Sequence, residues 1–279
     1  MREEQNKAMQ GWQKSARYWD KYRGLITQMF APLTIALLEE ARIGAGQKVL
    51  DIGGGAGEPS LTIAALLGPK GTITYTDPAA AMVETTRAEA TRRSLTNVRF
   101  EQCSADNLPF ADGTFDVAVG RLSAMFFADP AVGVREALRV TREGGCVSFV
   151  VWGAKEANPF FTTVTDVVDR LAESSPEDAA GPDPFRFADP GRLAAIFEKA
   201  GAKNVNDRPL AFQIEASISA EEFWQLRTEM SETLREKLAG LTAAQVAVAK
   251  QSVIAAAQKY FASGKMRFPA AALIVSGRK

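Results

Sequence analysis

The chain has 279 residues, 46% of them hydrophobic, enough to bury a sizeable core in one large domain or two small ones. Thirty-three basic residues balance thirty-three acidic ones, so no long-range field draws it to nucleic acid or to an anionic membrane. Histidine is absent, which excludes a histidine-based triad, a histidine-ligated metal and a histidine general base together; no metal site is expected.

The N-terminal residues 1–17 are polar and charged, without the apolar stretch of a secretory signal, and the longest apolar runs, such as 147–152, are of strand length. The expectation is a cytoplasmic protein with no membrane insertion. Cys103 and Cys146 both fall in apolar, strand-like runs and are read as buried, reduced thiols.

From about Lys48 to Ala216, apolar strand-like runs alternate with amphipathic helical ones. Val49-Leu50-Asp51-Ile52 reads as a buried strand, followed by glycines and a helix over about 59–67, which Gly68, Pro69 and Gly71 end. Residues 72–76 read as a second strand. A helix over 79–93 follows, with Met82, Val83 and Thr86 on one side. Residues 98–103 and 115–120 read as strands three and four, with Asp112-Gly113 as the turn before the latter. Asp129 then caps a helix that has Pro130 at its first position. Gly144-Gly145 closes that helix, and 146–152 reads as strand five. Alternation of this kind means a parallel sheet covered on both faces.

Beyond strand five, residues 174–191 carry four prolines and read as a long loop, followed by a helix over 192–200 and a strand near 205–214. Ser219 with Glu222 and Thr242 with Gln245 form capping boxes, placing a helical pair at about 220–262. That pair is either extra packing or a wall over a substrate. A last strand, 270–276, follows Pro269.

The strongest signal is Asp51-Ile52-Gly53-Gly54-Gly55-Ala56-Gly57, at the carboxyl end of the first strand and running into a helix. Glycines there let the backbone turn tightly and approach a ligand, and the helix start supplies free N–H donors. The dinucleotide fingerprint needs Gly-x-Gly-x-x-Gly, and this spacing fails it, with Glu58 or Ser60 at the sixth position. What fits is acid-x-Gly-x-Gly-x-Gly. A carboxylate at the strand end suits a ligand carrying an ammonium group and repels a pyrophosphate. Asp77 ends strand two, where a carboxylate can accept both hydroxyls of a ribose.

The glycine pattern resembles motif I of the class I S-adenosylmethionine-dependent methyltransferases. The segment from Cys103 to Phe110, with Asp112-Gly113-Thr114-Phe115-Asp116, resembles their third motif, in the ubiquinone/menaquinone (UbiE/Coq5-type) subgroup. The resemblance is good over about 48–152. It implies an α/β, Rossmann-like three-layer sandwich with a mostly parallel seven-stranded sheet, an N-terminal lid helix and a C-terminal helical insertion. Residues 1–44 would form the helical lid, where Tyr18-Trp19-Asp20 and Tyr22 resemble the family's aromatic-plus-Asp helix; plain packing is the alternative. Residues 45–279 would form the S-adenosylmethionine domain, with helical insertions at about 155–190 and 219–264.

The same resemblance implies S-adenosyl-L-methionine as cofactor. Its expected contacts are Asp51, Gly53, Gly54, Gly55, Ala56, Gly57, Asp77 and Pro78, with Met82 against the adenine face or simply in the core. Ser104 and Ala105 fall at the family's adenine positions, Ser standing where Asp or Asn is usual, with Asp106 as a compensating neighbour. A further contact falls on Arg121. Asn158-Pro159-Phe160-Phe161 superficially resembles the Asn-Pro-Pro-aromatic motif of amino-methylating DNA and protein enzymes, but it lacks the second proline and follows strand five, whereas that motif ends strand four.

Methyl transfer from a sulfonium needs mainly in-line positioning and water exclusion, so no catalytic side chain is demanded or assigned. Tyr22, Phe126, Trp152 and Phe160 are candidates for the lining of a pocket for a small, apolar or aromatic methyl acceptor, methylated at oxygen or carbon; a plain place in the core is the alternative for each, and the commoner one. Two rivals stay open: an NAD-dependent oxidoreductase, and a binding protein that keeps the fold without catalysis. A homodimer is also left open.

Overall fold

Runs of β-branched and apolar residues form strands, five of them buried along most of their length and the two at the sheet edges largely exposed or half-buried. In the computed structural model, which describes residues 2–172 and 183–279, β1 (Lys48–Ile52) pairs in parallel with β2 (Thr72–Thr76) and with β4 (Phe115–Arg121). Strand β3 (Val98–Glu101) pairs in parallel with β2, and β5 (Thr141–Trp152) with β4. Strand β7 (Met266–Arg278) runs antiparallel to β5, and β6 (Lys203–Ala216) completes a seven-stranded sheet of order β3-β2-β1-β4-β5-β7-β6. Helices cover both sides, as expected for a mostly parallel sheet. The strand order reverses between β1 and β4, and at such a switch point the carboxyl ends of the strands open a crevice for a ligand.

The chain divides into two compact units. The sheet unit comprises Ala31–Gly153, Pro182–Leu210 and Ala272–Lys279. It contains helices α3 (Ala31–Ala41), α4 (Ser60–Leu67), α5 (Ala80–Arg92), α6 (Pro130–Val140) and α8 (Ala194–Lys199). The helical unit comprises Met1–Phe30, Ala154–Gly181 and Ala211–Ala271. It contains α1 (Arg2–Lys21), α2 (Arg23–Met29), α7 (Pro159–Leu171), α9 (Ala220–Met230), α10 (Glu232–Ala239) and α11 (Ala243–Ala257). The segment 1–44, expected as one lid, is thus shared: α3 packs on β4 and β5, whereas α1 packs on α9. Lys21 and the Tyr22 hydroxyl both reach Glu229, at 2.6 and 2.8 Å.

Helix boundaries follow local chemistry. The Asp129 carboxylate accepts from the Ala131 and Val132 amides at the start of α6, and both expected capping boxes are present on α9 and α11. Four local expectations are corrected. Helix α6 ends at Val140 rather than at Gly144-Gly145, because Thr141 turns its hydroxyl onto the Ala137 carbonyl and pairs with Phe115; the two glycines lie inside β5, where the register with β4 shifts. The expected helical pair at 220–262 is three helices, since Ser231 supplies an additional N-cap and starts α10. Strand β3 stops at Glu101, so Cys103 lies beyond it and is half-buried, while Cys146 is buried. The last strand starts at Met266, so Pro269 lies within it, before the pairing with β5 begins at Ala272. Of the expected loop 174–191, residues up to 182 lie outside the described residues, and 183–191 contain only turns. No helix among the described residues is long and apolar enough to cross a membrane.

Candidate functional site

The carboxyl ends of β1, β2 and β4 converge on the glycine loop. Gly53 (φ 73°) and Gly55 (φ 52°) occupy the left-handed region that favours glycine, which lets the chain leave β1 and fold back toward α4. The Gly53 and Gly54 amides both donate to the Thr76 carbonyl of β2, at 3.0 and 2.9 Å. The Gly55 carbonyl accepts from the Tyr75 hydroxyl at 2.6 Å and from Thr86 on α5 at 3.0 Å, while its amide donates to Asp77 at 3.0 Å. Below it, Ser123, just past β4, donates to the Ile52 carbonyl at 2.6 Å. Leu122, a non-glycine residue at φ 59°, makes the turn that places Ser123 there.

Side-chain space divides the glycines by role. A Cβ on Gly54 would stand 2.5 Å from the Tyr75 ring and 2.8 Å from an Asp51 carboxylate oxygen, both buried. A Cβ on Gly55 would meet nothing within 4 Å, so the loop presents an open backbone face at that residue. Gly54→Ala should therefore cost about 1–3 kcal/mol by overpacking, read as a lower denaturation midpoint in urea. Gly55→Ala meets no neighbouring atom, but at φ 52° it should still cost about 1–2 kcal/mol of backbone strain while also crowding any ligand at the loop.

Two acids define the electrostatics. Asp51 is fully buried; its Oδ2 accepts from the Ser60 hydroxyl at 2.6 Å, and its Oδ1 has no hydrogen-bond partner. Burial pushes its carboxyl up to about 7, opposed by Ser60 and Arg121 and reinforced by the charges of Asp77 and Glu58. Asp77 is buried as well, one oxygen accepting from the Ala79 amide at 2.9 Å and the other from Gly55. Burial pushes it up to about 6, against the pull of those two amides. Glu58, at the start of α4, is also buried, holding Thr62 at 2.6 Å and lying 3.6 Å from Arg93. The loop is thus backed by carboxylates, two of which, Asp51 and Glu58, each have an oxygen that accepts no hydrogen bond.

The remaining expected contacts gather at the same strand ends or recede from them. Ser104 and Asp106 are exposed, and Ala105 is half-buried, in the turn after β3, with the Asn107 amide on the Ser104 carbonyl. Pro78 is half-buried beside Asp77. Arg121 ends β4 half-buried, and its Nη1 donates to Thr34 on α3 at 2.8 Å. Burial lowers its guanidinium below the usual value, with Glu58 and Asp51 opposing. Met82 is 2% exposed and belongs to the core rather than to an open face.

Two of the candidate pocket residues take the core alternative in the same way. Trp152 is 4% exposed and Phe160 3%, and both are core residues. Phe160 stands in an aromatic cluster with Phe30, Phe161, Phe223 and Phe268, at centroid distances of 5.3–6.5 Å. Phe126 and Tyr22 keep partial exposure. Asn158 is a clamp of the helical unit, exchanging hydrogen bonds with the Ala271 backbone and donating to the Ala154 carbonyl. Sequence reasoning missed Ser60, Tyr75, Ser123 and the role of Thr86 in holding the loop. A polar atom within an otherwise apolar buried run, as in Tyr75, was the available signal.

A groove of about 590 Å³ lies at the opposite, amino ends of β1 and β4. Of its charges, Arg142 pairs with Asp116 at 2.6 Å and Glu40 with Arg208 of the neighbouring strand at 3.4 Å, while Arg42 and Arg278 also line it. No cluster able to hold a metal is present among the described residues.

Residues 49–145 match the family model described as a methyltransferase domain. An uncharacterized protein of Mycobacterium tuberculosis is 34% identical over 131 residues, 47% of this chain and 46% of that protein. The uncharacterized methyltransferase YcgJ of Bacillus subtilis is 32% identical over 139 residues, 50% of this chain and 53% of its own. The ubiquinone/menaquinone biosynthesis C-methyltransferase UbiE of Hahella chejuensis is 31% identical over 131 residues, 47% of this chain and 52% of its own. The matches thus span about half the length of these relatives. The crystal structure of YcgJ shares the fold, with a TM-score of 0.57 at 22% identity over 88% of this chain and 97% of that one. Residues 49–145, with the acid-led glycine loop at the switch point of this sheet, are thus similar to a methyltransferase domain.

Proposed function

We propose that the protein is an S-adenosylmethionine-dependent methyltransferase acting on a small, apolar or aromatic acceptor at oxygen or carbon. The observation that carries this reading is the set of buried carboxylates behind the glycine loop, above all the Asp51 oxygen without a donor. An unpaired buried carboxylate oxygen is costly, and an ammonium group brought by a ligand relieves it, whereas a pyrophosphate meets repulsion. Because Asp51 is enclosed, a single bridging water, or a yielding of the loop, is the route to it.

S-adenosylmethionine, when bound, supplies a methyl group already activated on a positively charged sulfur. The chain's part is to bind and to orient. The Asp77 carboxylate, with one amide on each oxygen, keeps acceptor capacity for ribose hydroxyls. The open face at Gly55 admits a ligand against the backbone, and Ser104, Ala105 and Asp106 border the adenine side. Phe126, partly exposed after β4, is the apolar residue best placed to face an acceptor. No side chain is assigned as a base, and none is required for an acidic phenol or an electron-rich ring carbon.

Incubation with methyl-tritiated S-adenosylmethionine and a panel of phenols and quinols tests this. Label should pass to at least one acceptor and stop passing when Asp77 is changed to alanine. Tight cofactor retention with no transfer to any acceptor class, thiols and amines included, would contradict the enzymatic reading.

A further inference from the structure

Two arginines are buried among the described residues, and one of them is without a partner. Arg23, 6% exposed, is held by Asp20 at 2.8 Å. Arg227, on α9 of the helical unit, is 8% exposed, and its guanidinium makes no hydrogen bond or ion pair among the described residues; its buried Nε has no acceptor. The guanidinium carbon stands 5.0 Å from the Phe160 ring centroid and 4.7 Å from that of Phe161. These faces attract a cation but accept no hydrogen bond in the plane of its fork. Of the acids on the same helix, Glu222 closes the capping box, Glu229 is taken by Lys21, Tyr22 and Gln225, and Glu221 is exposed in the first turn. Burial alone lowers the guanidinium to about 10, with no carboxylate opposing.

A permanently charged fork, desolvated and left without an acceptor, is strongly disfavoured in a finished core but suited to an incoming oxyanion, which it grips through paired N–H donors. We propose that Arg227 is an anion receptor in the helical unit, binding the carboxylate or phosphate group of a small organic ligand whose apolar part lies beside the partly exposed Phe161. This concerns binding and does not depend on the methyl-transfer reading.

The test titrates inorganic phosphate and, separately, benzoate into the full chain, each against sodium chloride of matched ionic strength. At least one should give saturable heat and raise Tm. Phosphate alone would assign a phosphate group to the ligand, and benzoate alone a carboxylate. Arg227→Met keeps the bulk and removes the charge. It should weaken probe binding about tenfold or more while its probe-free Tm equals or exceeds that of the parent, since an unpaired buried cation has gone. Arg227→Lys, which keeps charge but not the fork, should bind more weakly than the parent and serves if the methionine variant folds poorly. The proposal is overturned if neither probe saturates, if both variants bind as the parent does, or if Arg227→Met lowers Tm without changing probe binding.

Discussion

Replacing Asp77 by alanine should weaken S-adenosylmethionine binding about a hundredfold and also lower the Tm of the ligand-free protein. Bonds from a carboxylate to ribose hydroxyls contribute about 1.5–3 kcal/mol each, so losing even one is a change of at least about tenfold. The second effect follows from the loop. The same carboxylate accepts from the Gly55 amide at 3.0 Å and the Ala79 amide at 2.9 Å, so it ties the glycine loop to the start of α5. Its burial, which raises its pKa to about 6, offsets part of that gain. A net loss of about 1–2 kcal/mol is expected, or a few degrees in Tm for a chain of this size. Equilibrium dialysis with labelled cofactor and differential scanning calorimetry separate the two effects. Unchanged affinity would remove Asp77 from the ribose role, and unchanged Tm would show that the loop stands without it.

Cofactor affinity should rise with pH between about pH 5.5 and 7.5. Burial raises Asp51 to about 7 and Asp77 to about 6, both above the 3.8 of a free aspartate. The ligand-free fold therefore holds more protons than the unfolded chain across that interval. The stability contribution of these two groups is fully present below about pH 4 and declines as pH rises through their folded values. A ligand carrying an ammonium group and ribose hydroxyls favours both ionised carboxylates, so binding releases protons and tightens with pH, by about tenfold or more over the interval. Calorimetry at pH 6.5 in buffers of different ionisation enthalpy counts the protons. Affinity that is flat with pH, with no proton release, would mean that neither carboxylate is engaged by the ligand.

Chemistry confined to a few neighbouring residues was legible in the sequence. Asp129 before Pro130, Ser219 with Glu222 and Thr242 with Gln245 cap helices where they were expected, because a cap depends only on the next three amides. The β1–loop–α4 unit was legible too, since three spaced glycines after an apolar run have few other uses. Contacts between distant segments were not. That Tyr75 and Thr86 converge on one carbonyl depends on how β2 and α5 pack, which no spacing records. Trp152 and Phe160 carry the composition of a pocket wall and were candidates for one, yet the same apolar surface fills the core when neighbours cover it. Gly144-Gly145 looked like a helix stop, but strand pairing from Thr141 onward outweighed the local signal. The unpaired state of Arg227 was invisible for the same reason: burial and the lack of a partner are properties of the packed chain.

The central claim is that the acid-led glycine loop at the β1/β4 switch point receives S-adenosylmethionine. Isothermal titration of S-adenosylhomocysteine and of NAD into the full chain tests it most directly. Equimolar binding of S-adenosylhomocysteine, weakened in the Asp77→Ala variant, with no comparable heat from NAD, is the predicted result. Tighter binding of NAD than of S-adenosylhomocysteine would contradict it.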